Sequence, residues 1–233
     1  FFQPILYFLF ETYGLKETTS AEAGLMIALI PIFVTILSTI ILKEKPLVTQ
    51  LLFILLSVAG VVFIQLYNTN ISFDFNSIGF RLLLMAVISA ALFNIASRNA
   101  AKNHKPHEIT YIMMLMGAVC FNVIYIYQLI NNKELPSYFS NLMNVEVILP
   151  IVYLGIVASI LGFFLVNFSL SKLPAHISSI YSNISTMVAV IAGAIFLNEK
   201  VEFYHIIGGL MIVVGVYGAA RINYLRNRRV KKL

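Results

Sequence analysis

The sequence predicts an all-α fold: a polytopic membrane helix bundle, built as an inverted five-helix repeat, with eight of about ten helices present. Three observations lead to this prediction: an apolar composition, an internal repeat and the spacing of the charged residues. Of the 233 residues, 60% are hydrophobic and 11% are charged, and the mean hydropathy is +0.89. A soluble core of this size does not need so apolar a chain, so the protein is predicted to lie in a membrane.

The internal repeat joins two apolar stretches through a short charged hinge and uses this unit twice. The stretch 15–66 recurs at 170–221 with an offset of 155 residues and no gap. At this offset LNEK at 197–200 aligns with LKEK at 42–45. A repeat of this kind indicates both the structural unit and the number of its copies.

Eight apolar segments are predicted to cross the membrane, since a spanning helix needs about 20 mostly apolar residues. The first of them is short. The segments are 1–15, 20–42, 47–67, 79–97, 109–130, 147–170, 175–197 and 203–222. Charged hinges at 43–46 and 198–202 are so short that the flanking helices must run antiparallel, and longer polar links lie at 68–77, 100–108 and 131–146.

The repeat divides the chain into two units. The spans that begin at 147, 175 and 203 align with those that begin at 1, 20 and 47, whereas the spans at 79 and 109 have no partner upstream. A five-helix unit would therefore begin near position −77, which is 155 residues before residue 78. Because five is odd, the two units should enter the membrane in opposite senses. We expect the following division: 1–67, the end of the first unit; 68–78, a linker; 79–222, the second unit; 223–233, a basic tail.

Orientation follows from the Lys and Arg residues, which concentrate in cytoplasmic links. If the C-terminal tail is cytoplasmic, four of the sixteen Lys and Arg face outward: Lys16, Arg81, Lys133 and Lys200. The remaining residues face inward, six of them in the tail. The net charge of +6 therefore indicates an anchor in the cell membrane, in contact with lipid, and not a nucleic-acid contact.

Family-like motifs occur in both copies. They are TSAEAGL at 19–25, PIF at 31–33, LKEK at 42–45 and GVV at 60–62, then 191–200 and 208–215, with the link 98–106 between the copies. These segments resemble the EamA domain of the drug/metabolite transporter superfamily. The second copy has Thr186 where the first has Pro31, so we expect a hinge at this position in the first copy only.

The resemblance implies that the chain provides helices three to ten of a ten-helix carrier, the first unit holding helices three to five and the second helices six to ten. It further implies a substrate among small organic metabolites, often amino acids, and usually export. It names no particular substrate.

Two acids are candidate proton or substrate sites. Glu11 and Glu22 lie in apolar spans, and their counterparts in the second copy are Val166 and Ile177. An acid within the membrane is costly and indicates function by default. The alternative is an interfacial ion pair with Lys16. Glu11 is the stronger candidate, and coupling to protons would depend on it.

Amides and hydroxyls form the second group of candidates, because such groups in lipid must face other helices or a wet cavity. The run from Ser178 to Thr186 is too dense for helix contacts alone. We expect a substrate site at the midplane, with hydrogen bonding between helices as the alternative. Its residues are Glu11, Asn94, Asn167, Ser178, Tyr181 and Asn183, with the three asparagines and Tyr181 pointing into the cavity.

Other residues are predicted to have structural roles. Glu44 and Glu199 each precede a helix and should face the positive end of its dipole. His176 is expected at the membrane interface. Gly208 and Gly215 belong to a smooth stripe for close helix packing.

No enzyme is predicted. The histidines are scattered, Cys120 is alone, and no nucleophile, phosphate loop or paired-carboxylate motif occurs. We therefore expect no cofactor and no metal. The function predicted is a secondary transporter working by alternating access. The alternatives are a non-transporting scaffold or an incomplete, inactive transporter fragment, with a membrane enzyme a distant third, and the oligomeric state is left open.

Overall fold

The computed structural model describes residues 1–68, 77–132, 145–196, 198 and 200–230. Within these ranges helices are the only regular secondary structure, and these ranges form no strand. The α-helices are α1 (Tyr7–Lys16), α2 (Ser20–Ala28), α3 (Ile30–Ile41), α4 (Val48–Asn68), α5 (Ile78–Ala100), α6 (Pro106–Asn131), α7 (Val145–Val152), α8 (Gly162–Lys172), α9 (Ala175–Ile180), α10 (Ile184–Phe196) and α11 (Phe203–Val230). The prediction of an all-α bundle is confirmed.

Seven helical spans in the described part of the chain are long and apolar enough to cross a membrane. They are Ser20–Ile41, Val48–Tyr67, Ile78–Ala100, Pro106–Asn131, Glu146–Lys172, Ala175–Phe196 and Phe203–Arg226. The predicted first span, at 1–15, was expected to be short and is not among these seven. Gln3 interrupts its helical geometry with φ −135° and ψ 130°, and α1 has 10 residues. A helix of that length covers about 15 Å, half of the hydrocarbon layer.

Helices α4 and α11, which the repeat makes equivalent, form the most extensive helix contact among the described elements. A Cβ on Gly60 would lie 2.6 Å from the carbonyl oxygen of Gly208, and a Cβ on Gly215 would lie 2.6 Å from that of Phe53. As α4 advances from Phe53 to Gly60, its partner therefore runs back from Gly215 to Gly208. The two equivalent helices are antiparallel, as an inverted repeat requires.

The charged hinge at 43–46 lies at the same end of the bundle as Arg98 and Arg226, and we call this end the tail end. The Arg226 guanidinium donates to the carbonyl oxygen of Lys45 at 3.0 Å, and Arg98 pairs with Glu44 at 2.8 Å. At the opposite end, the rings of Tyr67 and Tyr204 stack with centroids 5.4 Å apart. Lys133 lies outside the described residues. This alternation of ends agrees with the predicted topology, and the cytoplasmic position of the tail stays a prediction.

Both copies of the repeated span are interrupted at equivalent positions, which corrects the expectation of a hinge in one copy only. The first span breaks at Leu29, between α2 and α3, and the second has a 3-10 turn at Tyr181–Asn183 before Ile184, the residue that aligns with Leu29. Proline supplies the interruption in the first copy. In the second, the Ser182 hydroxyl donates to the carbonyl oxygen of Ser179 at 2.7 Å, a back-bond that bends helices.

Candidate functional site

A cavity of about 530 Å³ lies between the two interrupted spans, next to α5 and α8. Apolar and aromatic side chains make up much of its wall, including Phe93 and Phe163. Its polar lining residues are Gln3, Tyr7, Asn94, Ser169, Ser178, Ser179, Tyr181 and Ser182. No charged side chain is among its lining residues in the described ranges. The cavity can therefore surround an apolar body and offer it uncharged hydrogen-bonding groups.

Asn94 is the predicted amide that does line this cavity. Its Nδ2 donates to the carbonyl oxygen of Ala90 at 2.9 Å, one turn earlier on α5. That bond fixes the side chain and leaves the amide oxygen as an acceptor for a guest.

Ser178 and Tyr181, two further residues of the predicted substrate site, also line the cavity. The Ser178 hydroxyl donates to the Ser169 hydroxyl at 2.8 Å and so joins α9 to α8. Tyr181 is 42% exposed and opens the 3-10 turn. Gln3 and Ser169 also line the cavity and were not among the residues predicted for the site.

Glu11 does not line the cavity, but it is hydrogen-bonded to Tyr7, which does. The Tyr7 hydroxyl, which does line the wall, donates to Glu11 Oε1 at 2.7 Å. Glu11 therefore has Tyr7 as its partner, where the sequence suggested Lys16. Tyr7 lies in an aromatic stretch, and its bond to Glu11 was not predicted from the sequence.

Glu22 has a structural role. Its carboxylate accepts from the backbone nitrogen of Thr19 at 3.0 Å, and its own backbone nitrogen donates to the Thr19 hydroxyl at 3.2 Å. This reciprocal capping box begins α2. The signature of Thr19 followed three residues later by Glu22 was present in the sequence.

Asn167 was expected in the cavity, and the structure corrects this. The side chain is fully buried between α5, α6 and α8. Its Oδ1 accepts from the Ser97 hydroxyl, and its Nδ2 donates to the Thr110 hydroxyl at 2.9 Å. Because the amide is fully buried and both its oxygen and its nitrogen bond to neighbouring helices, Asn167 links three helices.

Asn183 is likewise absent from the cavity lining. It is 3% exposed, and its Nδ2 donates to the Ser57 hydroxyl on α4 at 3.0 Å. The prediction that Asn183 points into the cavity is therefore wrong. Asn183 instead fits the alternative interpretation given above, in which the polar residues form hydrogen bonds between helices.

Glu44, at the tail end, caps a different helix from the one predicted. Its Oε2 accepts from the backbone nitrogen of Ala175 at 2.8 Å, so it caps α9 and not the α4 helix that follows it. Its counterpart Glu199 lies outside the described residues. His176 is 2% exposed, so it is buried among the helices. The interfacial position predicted for it stays a prediction.

Comparison with known proteins identifies the class to which this bundle belongs. The profile of the EamA-like transporter family matches residues 1–66 and 77–221. The chain belongs to this family. As an EamA-like chain it is a multi-pass membrane transporter whose environment is the lipid bilayer and whose substrate is a small molecule. Membership in a transporter family also agrees with the prediction that the chain is not an enzyme.

Relatives with similar sequences are described as transporters without a stated substrate. The uncharacterized transporter YcxC of Bacillus subtilis (strain 168) is 38% identical over 217 residues, covering 93% of this chain and 69% of the relative. The uncharacterized transporter YetK of the same organism is 29% identical over 208 residues, covering 88% of this chain and 61% of the relative. A solved crystal structure matches with a TM-score of 0.75 at 18% identity, covering 96% of this chain and 74% of that one. At this identity the likeness concerns the fold.

Proposed function

We propose that this EamA-like protein is a secondary transporter that exports small organic metabolites, amino-acid-like or drug-like, by alternating access of the cavity to the two sides of the membrane. The observation that carries this proposal is the cavity of about 530 Å³ between the two interrupted spans. Its size falls within the roughly 300–1,000 Å³ typical of small-molecule sites. The site consists of Asn94, Ser178 and Tyr181, together with Tyr7.

The physical basis is the combination of an apolar wall with uncharged polar groups. Phe93 and Phe163 would bury the body of a guest, while the Asn94 amide and the Ser178 hydroxyl would bond its polar end. Interrupted helices from inverted repeats typically form such sites near the midplane of transporters. Breaks at Leu29 and at Tyr181–Asn183 supply the joints about which each span could bend.

Proton coupling through Glu11 is part of the proposal. A carboxyl group linked to the cavity by the Tyr7 hydroxyl could exchange a proton in step with the occupancy of the site. We place the protein in the plasma membrane with the tail in the cytoplasm. We also assign residues 1–67 and 79–222 to the two family repeats.

The test is transport by the complete gene product in proteoliposomes. Vesicles loaded with an unlabelled pool of neutral amino acids and small amphipathic amines should accumulate an external labelled member of the pool by counterflow. Protein-free vesicles and vesicles with the Asn94→Leu variant are the controls. Accumulation no greater than in protein-free vesicles, across the whole pool, would favour the alternative of a scaffold or an inactive transporter fragment.

A further inference from the structure

Glu44 stands at the centre of a set of polar contacts between the two predicted units. One carboxylate oxygen accepts from Arg98 Nε at 2.8 Å, and the other accepts from the backbone nitrogen of Ala175 at 2.8 Å. Arg98 Nη1 also donates to the carbonyl oxygen of Leu170 at 2.8 Å and to that of Ser171 at 3.3 Å. We call these five residues the Glu44 cluster. It ties the end of α3 to α5, α8 and α9.

This cluster lies directly beyond the cavity at the tail end. Asn94 lines the cavity on α5, and Arg98 follows it by one helical turn. Ser178 lines it on α9, and Ala175 precedes it by almost one turn. The first unit cannot separate from the second at this end without breaking both bonds of Glu44.

The two copies of the repeat differ in a way that explains the cluster. In the first copy Thr19 caps α2 with its own hydroxyl, and Glu22 completes the capping box. In the second copy Pro174 stands at the equivalent position and provides no side-chain cap. The second copy instead has an acceptor from the other unit at this helix start, because Glu44 binds the nitrogen of Ala175, the first residue of α9. The first copy caps its helix from within its own unit, and the second copy takes a cap from the other unit.

Burial gives the ion pair a stronger effect than a surface pair. The side chains of Arg98 and Glu44 are 22% and 19% exposed, whereas those of His104 and Glu108, at the same end, are 64% and 47% exposed at 3.8 Å. Partly buried pairs are screened less by water and salt.

His176 opposes the closed arrangement. It follows Ala175, it is 2% exposed, and neither of its ring nitrogens has a hydrogen-bond partner among the described residues. A buried polar group without hydrogen-bond partners destabilises the closed state. When the end opens, water can bond the group, and this destabilisation is lost. An ion pair that favours closure and a histidine that favours opening suit an element with two accessible states.

We propose that the Glu44 cluster is the latch that holds the tail end closed in the transport cycle, and that it breaks each time the cavity opens to that side. This inference rests on the proposed function of alternating access. Glu44 and Arg98 are positioning residues in this scheme, because neither lines the cavity. Weakening the latch should shift the population toward the state that is open at the tail end.

The test measures how fast a cysteine in the cavity is labelled from the tail side. Ser179→Cys is introduced after Cys120→Ala, and Leu225→Cys identifies vesicles whose tail faces a membrane-impermeant maleimide. Glu44→Gln keeps an oxygen that can cap α9 but loses the charge that holds Arg98. It should accelerate labelling of residue 179 by at least about fivefold, the lower end of typical couplings between sites. Glu108→Gln, in the exposed pair, is the matched control and should leave the rate unchanged.

If Glu44→Gln is not recovered as folded protein, Arg98→Lys carries the same test, because its single ammonium group cannot hold Glu44 and two carbonyl groups together. An unchanged labelling rate with a lowered melting temperature would show that the cluster is only structural and would overturn the latch. Labelling needs no substrate. Failure of the parent protein to transport would therefore count against the proposed function, whereas unchanged labelling in an active transporter counts against the latch alone.

Discussion

Lys43 and Asn198 both adopt the left-handed backbone conformation, with φ of 57° and 54°, although they lie 155 residues apart. This conformation is uncommon for residues other than glycine, and the two side chains differ in charge and size. The positions are equivalent in the repeat, each within the hinge that follows an interrupted span. The two copies therefore share their turn geometry where they do not share side chains.

Close packing of α4 on α11 leads to the first prediction. A Cβ at residue 215 would meet the backbone nitrogen of Ser57 at 2.6 Å, and backbone atoms cannot move aside. We expect Gly215→Ala to destabilise the protein by roughly 1–3 kcal/mol, as overpacking does. Thermal unfolding in detergent measures the effect. Gly209→Ala on the same helix is the control, because its Cβ would make only ordinary contacts with the Met187 side chain, at 3.5 Å to Cε and 3.9 Å to Cγ. Equal melting temperatures for both variants would refute the packing argument.

The second prediction concerns the hydrogen bond between Asn183 and Ser57. Because the bond lies between helices and outside the cavity lining, Asn183→Leu should lower the amount of folded protein more than the turnover of what folds. A double-mutant cycle with Ser57→Ala and Asn183→Ala should give a coupling of about 0.6 kcal/mol, the average for such bonds within membranes. Zero coupling, with turnover abolished at normal stability, would return Asn183 to the substrate site.

The third prediction tests the cavity through Asn94. Asn94→Ala should lower transport by about five- to thirtyfold, since the loss of one hydrogen bond to a buried guest costs on the order of 1–2 kcal/mol. Its stability should change little, because the bond to the carbonyl of Ala90 is local. Asn122→Ala is a matched control: Asn122 makes the same local bond to the carbonyl of Ala118 but lies on the exposed side of α6. If both variants transport equally well, Asn94 is not part of the site.

Proton coupling gives the fourth prediction. Glu11→Gln should abolish uptake driven by a pH gradient but preserve counterflow, because exchange needs no net proton movement. Glu22→Gln should leave both activities intact, since glutamine can complete the capping box as glutamate does. Gradient-driven uptake that survives in Glu11→Gln would exclude Glu11 as the coupling residue.

The architecture could be predicted from the sequence because composition and repetition act on whole helices. Membrane spans follow from apolar length, and the antiparallel contact of α4 with α11 follows from an odd number of helices in the unit.

The site was harder to predict, because an amide in an apolar span requires a partner without indicating which one. Asn94 faces the cavity and Asn183 faces Ser57, yet both look alike in sequence. The partners of Glu44 lie 54 and 131 residues away, beyond the reach of local patterns. The alignment of Thr19 with Pro174 can be read from the sequence. That Glu44 caps the second helix can be seen only in the structure.

Alternating access is the central claim, and two-sided labelling of the cavity tests it most directly. Ser182→Cys, in a protein with Cys120→Ala, lines the cavity and should react with a membrane-impermeant maleimide applied from either side of sealed vesicles. Val188→Cys, which is 59% exposed on the outer surface of α10, controls for reaction through lipid and should stay unlabelled. We predict labelling of residue 182 from both sides, slowed by transported metabolite. Labelling from one side only, unaffected by any metabolite that the protein carries, would contradict the account.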